Sequence, residues 1–161
     1  MDHLVYSPRL RMLEVRRDLP AVADLIEICF HDQMDADGSA YIRQMRRLAR
    51  EMSYLGSELL PYPPRINFTG LVWEEAGKII GNLTLIPFQK DGGQVTLIAN
   101  VAVHPDFRQR GIGRALTARA LEVIRDRGNR AAWLQVREEN EPAIALYRSL
   151  GFAERTRRSA W

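Results

Sequence analysis

Polar and apolar residues alternate through "LRMLEVRR" (residues 10–17), the period of a strand with one buried face. Asp18 then precedes Pro20, a helix-start pattern, and "AVADLIEICF" continues at helical spacing. The cluster "DQMDADGS" predicts a turn, with Ser39 as N-cap of a basic amphipathic helix ending near Gly56. Ile42, Met45, Leu48 and Ala49 form the apolar face of that helix. "ELLPYPPR" crowds Pro61, Pro63 and Pro64 together, which removes donors and fixes φ, so it predicts a loop. Two β-rich runs follow, "INFTGLVWEE" and "KIIGNLTLIPF", joined by the tight turn "AG". After the turn "KDGG", the run "QVTLIANVAV" becomes continuously apolar, the mark of a central strand covered on both faces. "GRALTARALEVIRDRG" predicts a helix with a stripe of Leu116, Ala120, Val123 and Ile124, stopped by Gly128. "AAWLQVR" predicts a strand, "EPAIALYRSLG" a helix with Pro142 in its first turn, and "FAERTRRSAW" one more strand. The order β-α-α-β-β-β-α-β-α-β predicts an α+β fold, a mixed sheet with helices on both sides.

Length and composition narrow this picture. The 161 residues suit a single domain, residues 1–161, with ordinary apolar (46%) and charged (27%) content. No run approaches a membrane span, and "MDHLVYSPRLRML" lacks the apolar core of a secretory signal, so the expected location is the cytoplasm, with no membrane partner. One cysteine, Cys29, excludes an internal disulfide framework and a multi-cysteine zinc site, and no metal is expected; in "LIEICF" it reads as a small core residue. The net charge is +3, and of 23 basic residues only Lys78 and Lys90 are lysines. Arginine favours bidentate phosphate and carboxylate contacts, although most surface charge is simply solvated. A nucleic-acid site would need a basic stripe interleaved with aromatics, and none is present.

Candidate chemistry concentrates in "FRQRGIGRAL" (residues 107–116), between the buried strand and the next helix. Amides at a helix start lack intrahelical partners, and the helix dipole favours an anion there. Gly111 and Gly113 remove β-carbons beside those amides, and Arg108, Arg110 and Arg114 add charge nearby. The loop therefore reads as an anion cradle, while glycine pairs before helices also serve packing alone. A Walker A loop would carry Lys and Ser or Thr where Arg114 and Ala115 stand. The dinucleotide fingerprint would need a third glycine in a first βα turn, which this is not.

"VAVHPDFRQRGIGRAL" resembles the acetyl-CoA signature of the GCN5-related N-acetyltransferases, with Arg108, Gly111 and Gly113 at its defining positions. "LQVREENEPAIALYRSLGF" is similar to the family's distal motif through Asn140, Ala143, Leu146, Tyr147, Gly151 and Phe152. The resemblance implies the family fold with a splayed central sheet, here with the final strand apparently missing. It implies acetyl-CoA as donor and transfer of the acetyl group to a primary amine: a protein α-amine, a lysine or a small-molecule amine. The backbone of Arg108, Gln109, Arg110, Gly111, Ile112, Gly113, Arg114 and Ala115 would hold the pyrophosphate. The strand end Val101, Ala102 and Val103 would pair with the pantetheine arm, and a bulge there would leave an amide for the thioester carbonyl. Asn140 would contact the cofactor arm as well as cap its helix. Tyr147 would protonate the departing thiolate, although its place in the Ala143, Leu146, Leu150 stripe also fits plain packing.

The cofactor half looks most like the bacterial branch that acetylates the N-terminal alanine of a ribosomal protein. That branch carries a glutamate base where this chain has Gln135, which accepts no proton. An α-amine with pKa near 8 costs only ~1.4 kcal/mol to deprotonate at neutral pH, a lysine near 10.4 roughly 4.6 kcal/mol. Loss of the base thus harms lysine acetylation more. A water chain to Glu138, Glu139 or His104 would be a substitute, and the sequence selects none of them. By resemblance the acceptor would enter near residues 30–65, where "HDQMDADGS" is acidic and "LPYPPR" rigid and aromatic. The chain stops inside the expected last strand, so either more chain follows or a partner copy covers that edge, a homodimer through "ERTRRSAW". The alternative to an enzyme is a non-catalytic acyl-CoA-binding or regulatory module.

Overall fold

In a computed structural model, residues 7–55 and 69–157 are described. The elements are β1 (Leu10–Met12), α1 (Val15–Phe30), a short 3-10 turn (His31–Gln33), α2 (Ala36–Leu55), β2 (Thr69–Glu75), β3 (Lys78–Lys90), β4 (Gly93–Val103), α3 (Ile112–Asp126), β5 (Ala131–Leu134) and α4 (Glu141–Ser149). The sheet order is β1-β2-β3-β4-β5, antiparallel except for the parallel pair β4–β5. Two-residue turns, Ala76-Gly77 and Asp91-Gly92, join β2 to β3 and β3 to β4 with positive φ at all four residues, as tight hairpins require.

The sheet buries both faces, as the apolar β4 run predicts. Leu19, Val22, Ile26, Ile42, Met45 and Leu48 of α1 and α2 pack on Val72 on one side. On the other, Leu116, Ala120 and Ile124 of α3 pack on Leu71, Leu83, Leu85 and Ile98. The predicted α3 stripe is thus the buried one. Gly81 lets the first turn of α3 rest on β3, since a Cβ there would lie 3.0 Å from Ile112 Cγ2 and 3.1 Å from Leu116 Cδ1. Among the described residues no helix is long and apolar enough to cross a membrane.

Several boundaries differ from the sequence expectation, each for a local reason. The first strand stops at Met12, and α1 starts at Val15 rather than at Asp18. Asp18 instead reaches back from the first turn, its carboxylate accepting from Glu14 N–H at 2.7 Å. The cap of α2 is Asp35, whose Oδ1 accepts from Gly38 N–H at 2.8 Å, so Ser39 lies inside the helix. Strand β5 ends at Leu134, before Gln135, where its pairing with β4 stops. No strand forms in residues 152–157. There Glu154 pairs with Arg157 at 2.6 Å and Arg148 at 4.0 Å, a charged local arrangement with no strand beside it. The expected dimer edge rested on that strand, and residues 158–161 lie outside the described residues. The "ELLPYPPR" loop lies outside them too.

Candidate active site

The site is built where β4 and β5 part. Their parallel pairing runs from Val95–Ala131 to Ile98–Leu134 and stops. One residue further on, the β3–β4 register jumps from Thr84–Ala99 to Asn82–Ala102, so Asn100 and Val101 together face Leu83. This is a β-bulge, and Asn100 takes φ 50°, a left-handed conformation that Asn tolerates. The bulge that the resemblance implies is therefore present in β4. Beyond it His104 N–H donates to Ile80 O at 2.9 Å, which turns the N–H and C=O of Val103 away from β3 and toward the gap.

The Val103 carbonyl already has partners. Arg108 Nε donates to it at 3.0 Å and the Cys29 thiol at 3.4 Å. Cys29 is half-buried at the end of α1. Burial pushes its thiol pKa up against the opposing pull of Arg108, so it stays a protonated donor. Sequence reasoning placed Cys29 in the core and missed this contact with the strand end.

From Val103 the chain passes a 3-10 turn, Pro105–Phe107, and reaches α3 through Gln109 and Gly111, both at positive φ (61° and 78°). Gly111 is the N-cap and offers no side-chain cap. Ala115 N–H is bonded to Gly111 O at 3.0 Å, which leaves the amides of Ile112, Gly113 and Arg114 without intrahelical carbonyls. Gly113 faces both neighbouring elements: a Cβ there would stand 3.8 Å from Leu146 of α4 and 3.8 Å from Val103. It sits where the start of α3, the end of β4 and α4 come together, and the missing side chain leaves the space between them to a ligand. Ile112 is buried in the core, so only its backbone faces that cleft.

The three loop arginines sit near the cradle, each tied to a different element. Arg108 holds the β4 end, Arg110 pairs with Glu75 at 3.3 Å and stacks over Phe107, and Arg114 donates to Ser149 of α4 at 2.6 Å. The amides at the start of α3 are therefore free anion donors, and Arg108 and Arg114 keep further guanidinium N–H groups beyond the single bonds named.

On α4, Asn140 caps the helix, its Oδ1 accepting from Ala143 N–H at 3.3 Å, which leaves its amide N–H groups outward. Tyr147 is 9% exposed and meets Phe152 edge-to-face at 5.9 Å. Burial lifts its phenol pKa above the ordinary value. Among the described residues no hydrogen-bond partner takes its hydroxyl. Gln135 is exposed just past β5. Of the candidate substitutes for a base, Glu138 pairs with Arg157 at 2.8 Å, and His104 Nδ1 accepts from Asp106 N–H at 3.2 Å, capping its own turn.

A splayed strand pair, a bulge and an uncapped helix start around one cleft fit a long cofactor with an anionic end. The model of the Acetyltransferase (GNAT) family matches residues 26–152. The chain belongs to the GNAT acetyltransferase family. Its similarity to [Ribosomal protein bS18]-alanine N-acetyltransferase of Escherichia coli K12 is 49% identity over 57 residues, 35% of this chain and 38% of that one. It is 33% identical over 151 residues to mycothiol acetyltransferase of Thermobispora bispora, covering 92% of this chain and 47% of that protein. These matches span well under two thirds of the length of those relatives. A crystal structure of a GCN5-related N-acetyltransferase from Ralstonia eutropha JMP134 superposes with TM-score 0.68 at 26% identity, covering 94% of this chain and 95% of that one. The five-stranded mixed sheet with four helices is therefore a GNAT sheet, as the resemblance implied.

One polar group escaped the sequence reading. Asn82 (0% exposed), Thr84, Asn100 and Tyr41 of α2 cluster against the bulge. Their signal was two asparagines inside otherwise apolar strands, "GNLTL" and "IANVAV".

Proposed function

We propose that this GNAT chain transfers the acetyl group of acetyl-CoA to a primary amine by direct attack, in the cytoplasm. The observation that carries the reading is the gap beyond Ile98–Leu134, which opens beside the unpaired amides of α3. The α3 amides and Gly111 hold the pyrophosphate. The strand end Val101, Ala102 and Val103 gives the amide-bearing arm the edge groups that β3, Arg108 and Cys29 leave open, the Val103 N–H among them. Asn140 adds its outward N–H groups to that arm. Acetyl-CoA supplies an activated thioester carbonyl. The neutral amine forms the new C–N bond as the C–S bond breaks; Tyr147 gives its hydroxyl proton to the leaving sulfur, and the amine's surplus proton goes to water.

The acceptor class follows from the missing base. With Gln135 at the branch glutamate's position, Glu138 paired with Arg157 and His104 capping its own turn, exposed Glu139 is the one candidate substitute left. Without a base beside the thioester, the chain favours an amine largely neutral at working pH. An α-amine meets that condition at ~1.4 kcal/mol and a lysine does not. The printed name of the ribosomal-protein relative, an alanine N-acetyltransferase, points the same way.

The test is release of free coenzyme A from acetyl-CoA with a panel of free-N-terminus peptides, lysine peptides with blocked N-termini, and polyamines. Turnover on the free-N-terminus peptides is expected. Tight acetyl-CoA binding with no turnover on any acceptor would favour the non-catalytic module instead.

A further inference from the structure

We propose that Asn82, a residue of β3 that no motif singles out, is a positioning residue that sets the bulged peptide of β4 for the thioester carbonyl. The proposal rests on the acetyl-transfer reading above. At the bulge the Asn100 carbonyl loses its ladder partner, and the Asn82 side chain replaces it, Nδ2 donating to Asn100 O at 3.1 Å. In a trans peptide the carbonyl of one residue and the N–H of the next point in opposite directions. Holding Asn100 O toward β3 therefore aims the Val101 N–H away from β3, into the side where β5 has already parted from β4. That amide stands at the mouth of the cleft, directed where a carbonyl oxygen would gather charge during attack.

The cost of the arrangement supports the assignment. Asn82 is fully buried, yet its Oδ1 has no hydrogen-bond partner among the described residues. Turning the amide over would set Oδ1 against Asn100 O, two acceptors face to face, so the Asn100 carbonyl fixes its orientation. An unsatisfied buried acceptor is unfavourable, and an apolar side chain at this position would avoid it. The side chains around it hold the same peptide from its own residue: Asn100 Nδ2 donates to Thr84 Oγ1 at 3.4 Å, and the Tyr41 phenol bonds to both Thr84 and Asn100. Asn100 stays at φ 50° within this polar clamp.

The experiment is isotope-edited infrared spectroscopy of carbonyl-labelled acetyl-CoA bound to the full chain, with coenzyme A affinity measured in parallel by titration. The unsubstituted protein should lower the carbonyl stretching frequency relative to free acetyl-CoA. In Asn82→Ala that shift should collapse toward the free value while coenzyme A, which has no acetyl carbonyl, binds as before. Asn82→Leu, which keeps the number of side-chain heavy atoms and fills the site should the alanine variant not fold, should behave the same way. Turnover on whichever acceptor the panel yields should fall on the order of tenfold to a hundredfold, less than the roughly 10²–10³ lost when an oxyanion donor is itself removed. A full shift retained in the variants would overturn the assignment, as would coenzyme A affinity falling in step with the shift, which a merely structural role would produce. Failure of the unsubstituted protein to bind acetyl-CoA would instead overturn the reaction reading beneath it.

Discussion

Tyr147 combines a buried ring with a hydroxyl that no described neighbour claims, and burial keeps it protonated well past neutral pH. A phenol so placed is suited to give a proton to a leaving thiolate, the role proposed for it above. Tyr147→Phe should lower kcat by about 10²-fold, within the range for loss of a general acid, with acetyl-CoA affinity unchanged by titration. An unaltered kcat would reduce the residue to packing. The pH profile separates the acceptor classes at the same scale. For an α-amine acceptor, kcat/KM should climb with pH and level off near 8, while a lysine acceptor would keep it climbing toward 10.4. Tyr147 should impose no fall below about 10, since its shift is upward from the ordinary value. At this scale the candidate residues Gly111, Asn140 and Tyr147 were legible, because they sit in spaced motifs. Asn82 was not, since its role depends on a cross-strand partner 18 residues away in sequence.

The elements β4, α3 and α4 form the cleft together, and Gly113 is the point where all three meet. Gly113→Leu should fill the space before Leu146 and Val103 and weaken coenzyme A binding at least tenfold, about 1.4 kcal/mol. Gly113→Ala, whose Cβ makes only ordinary contacts there, should leave the thermal midpoint nearly unchanged. Binding measured by titration and unfolding followed by circular dichroism check the two halves. Element types were readable from periodicity; their ends were set by contacts that periodicity does not report. Asp18 starts α1 early by capturing the Glu14 amide, and Asp35 outcompetes Ser39 as a cap. Of the last expected strand, residues 152–157 pair with no strand among the described residues, and Glu154 and Arg157 form a local ion pair instead.

Across the whole molecule, the N-terminal edge of the sheet is clasped to α1 by a partly buried ion network. Arg11 binds Asp18 through two bonds (2.7 and 2.9 Å) and Glu74 through two more (2.7 and 2.9 Å). Burial pushes the Asp18 carboxyl up, but Arg11 and the Glu14 amide outweigh it and hold the pKa below the ordinary value. A depressed carboxylate pKa stabilises the fold above the unfolded value, about 3.9, and that stability is lost as pH falls through the folded value. Stability from urea unfolding should therefore hold from neutral pH to about 4 and decline below it. Asp18→Asn should cost roughly 3 kcal/mol at pH 7 by leaving Arg11 with Glu74 alone, and should flatten that decline. The sequence showed Asp18 only as a helix-start residue and Arg11 and Glu74 only as strand charges, because their meeting depends on the β1–β2 register and on how α1 packs against that edge.

The central claim is that the β4–β5 gap and the start of α3 form one acetyl-CoA site. A crystal structure of the protein grown with acetyl-CoA tests it most directly. The account predicts the pyrophosphate on the amides of residues 111–114, the pantetheine arm between β4 and β5 beyond Ile98, and the thioester near the Val101 amide and the Tyr147 hydroxyl. Cofactor bound on another face, or a gap that stays empty at saturating acetyl-CoA, would contradict it.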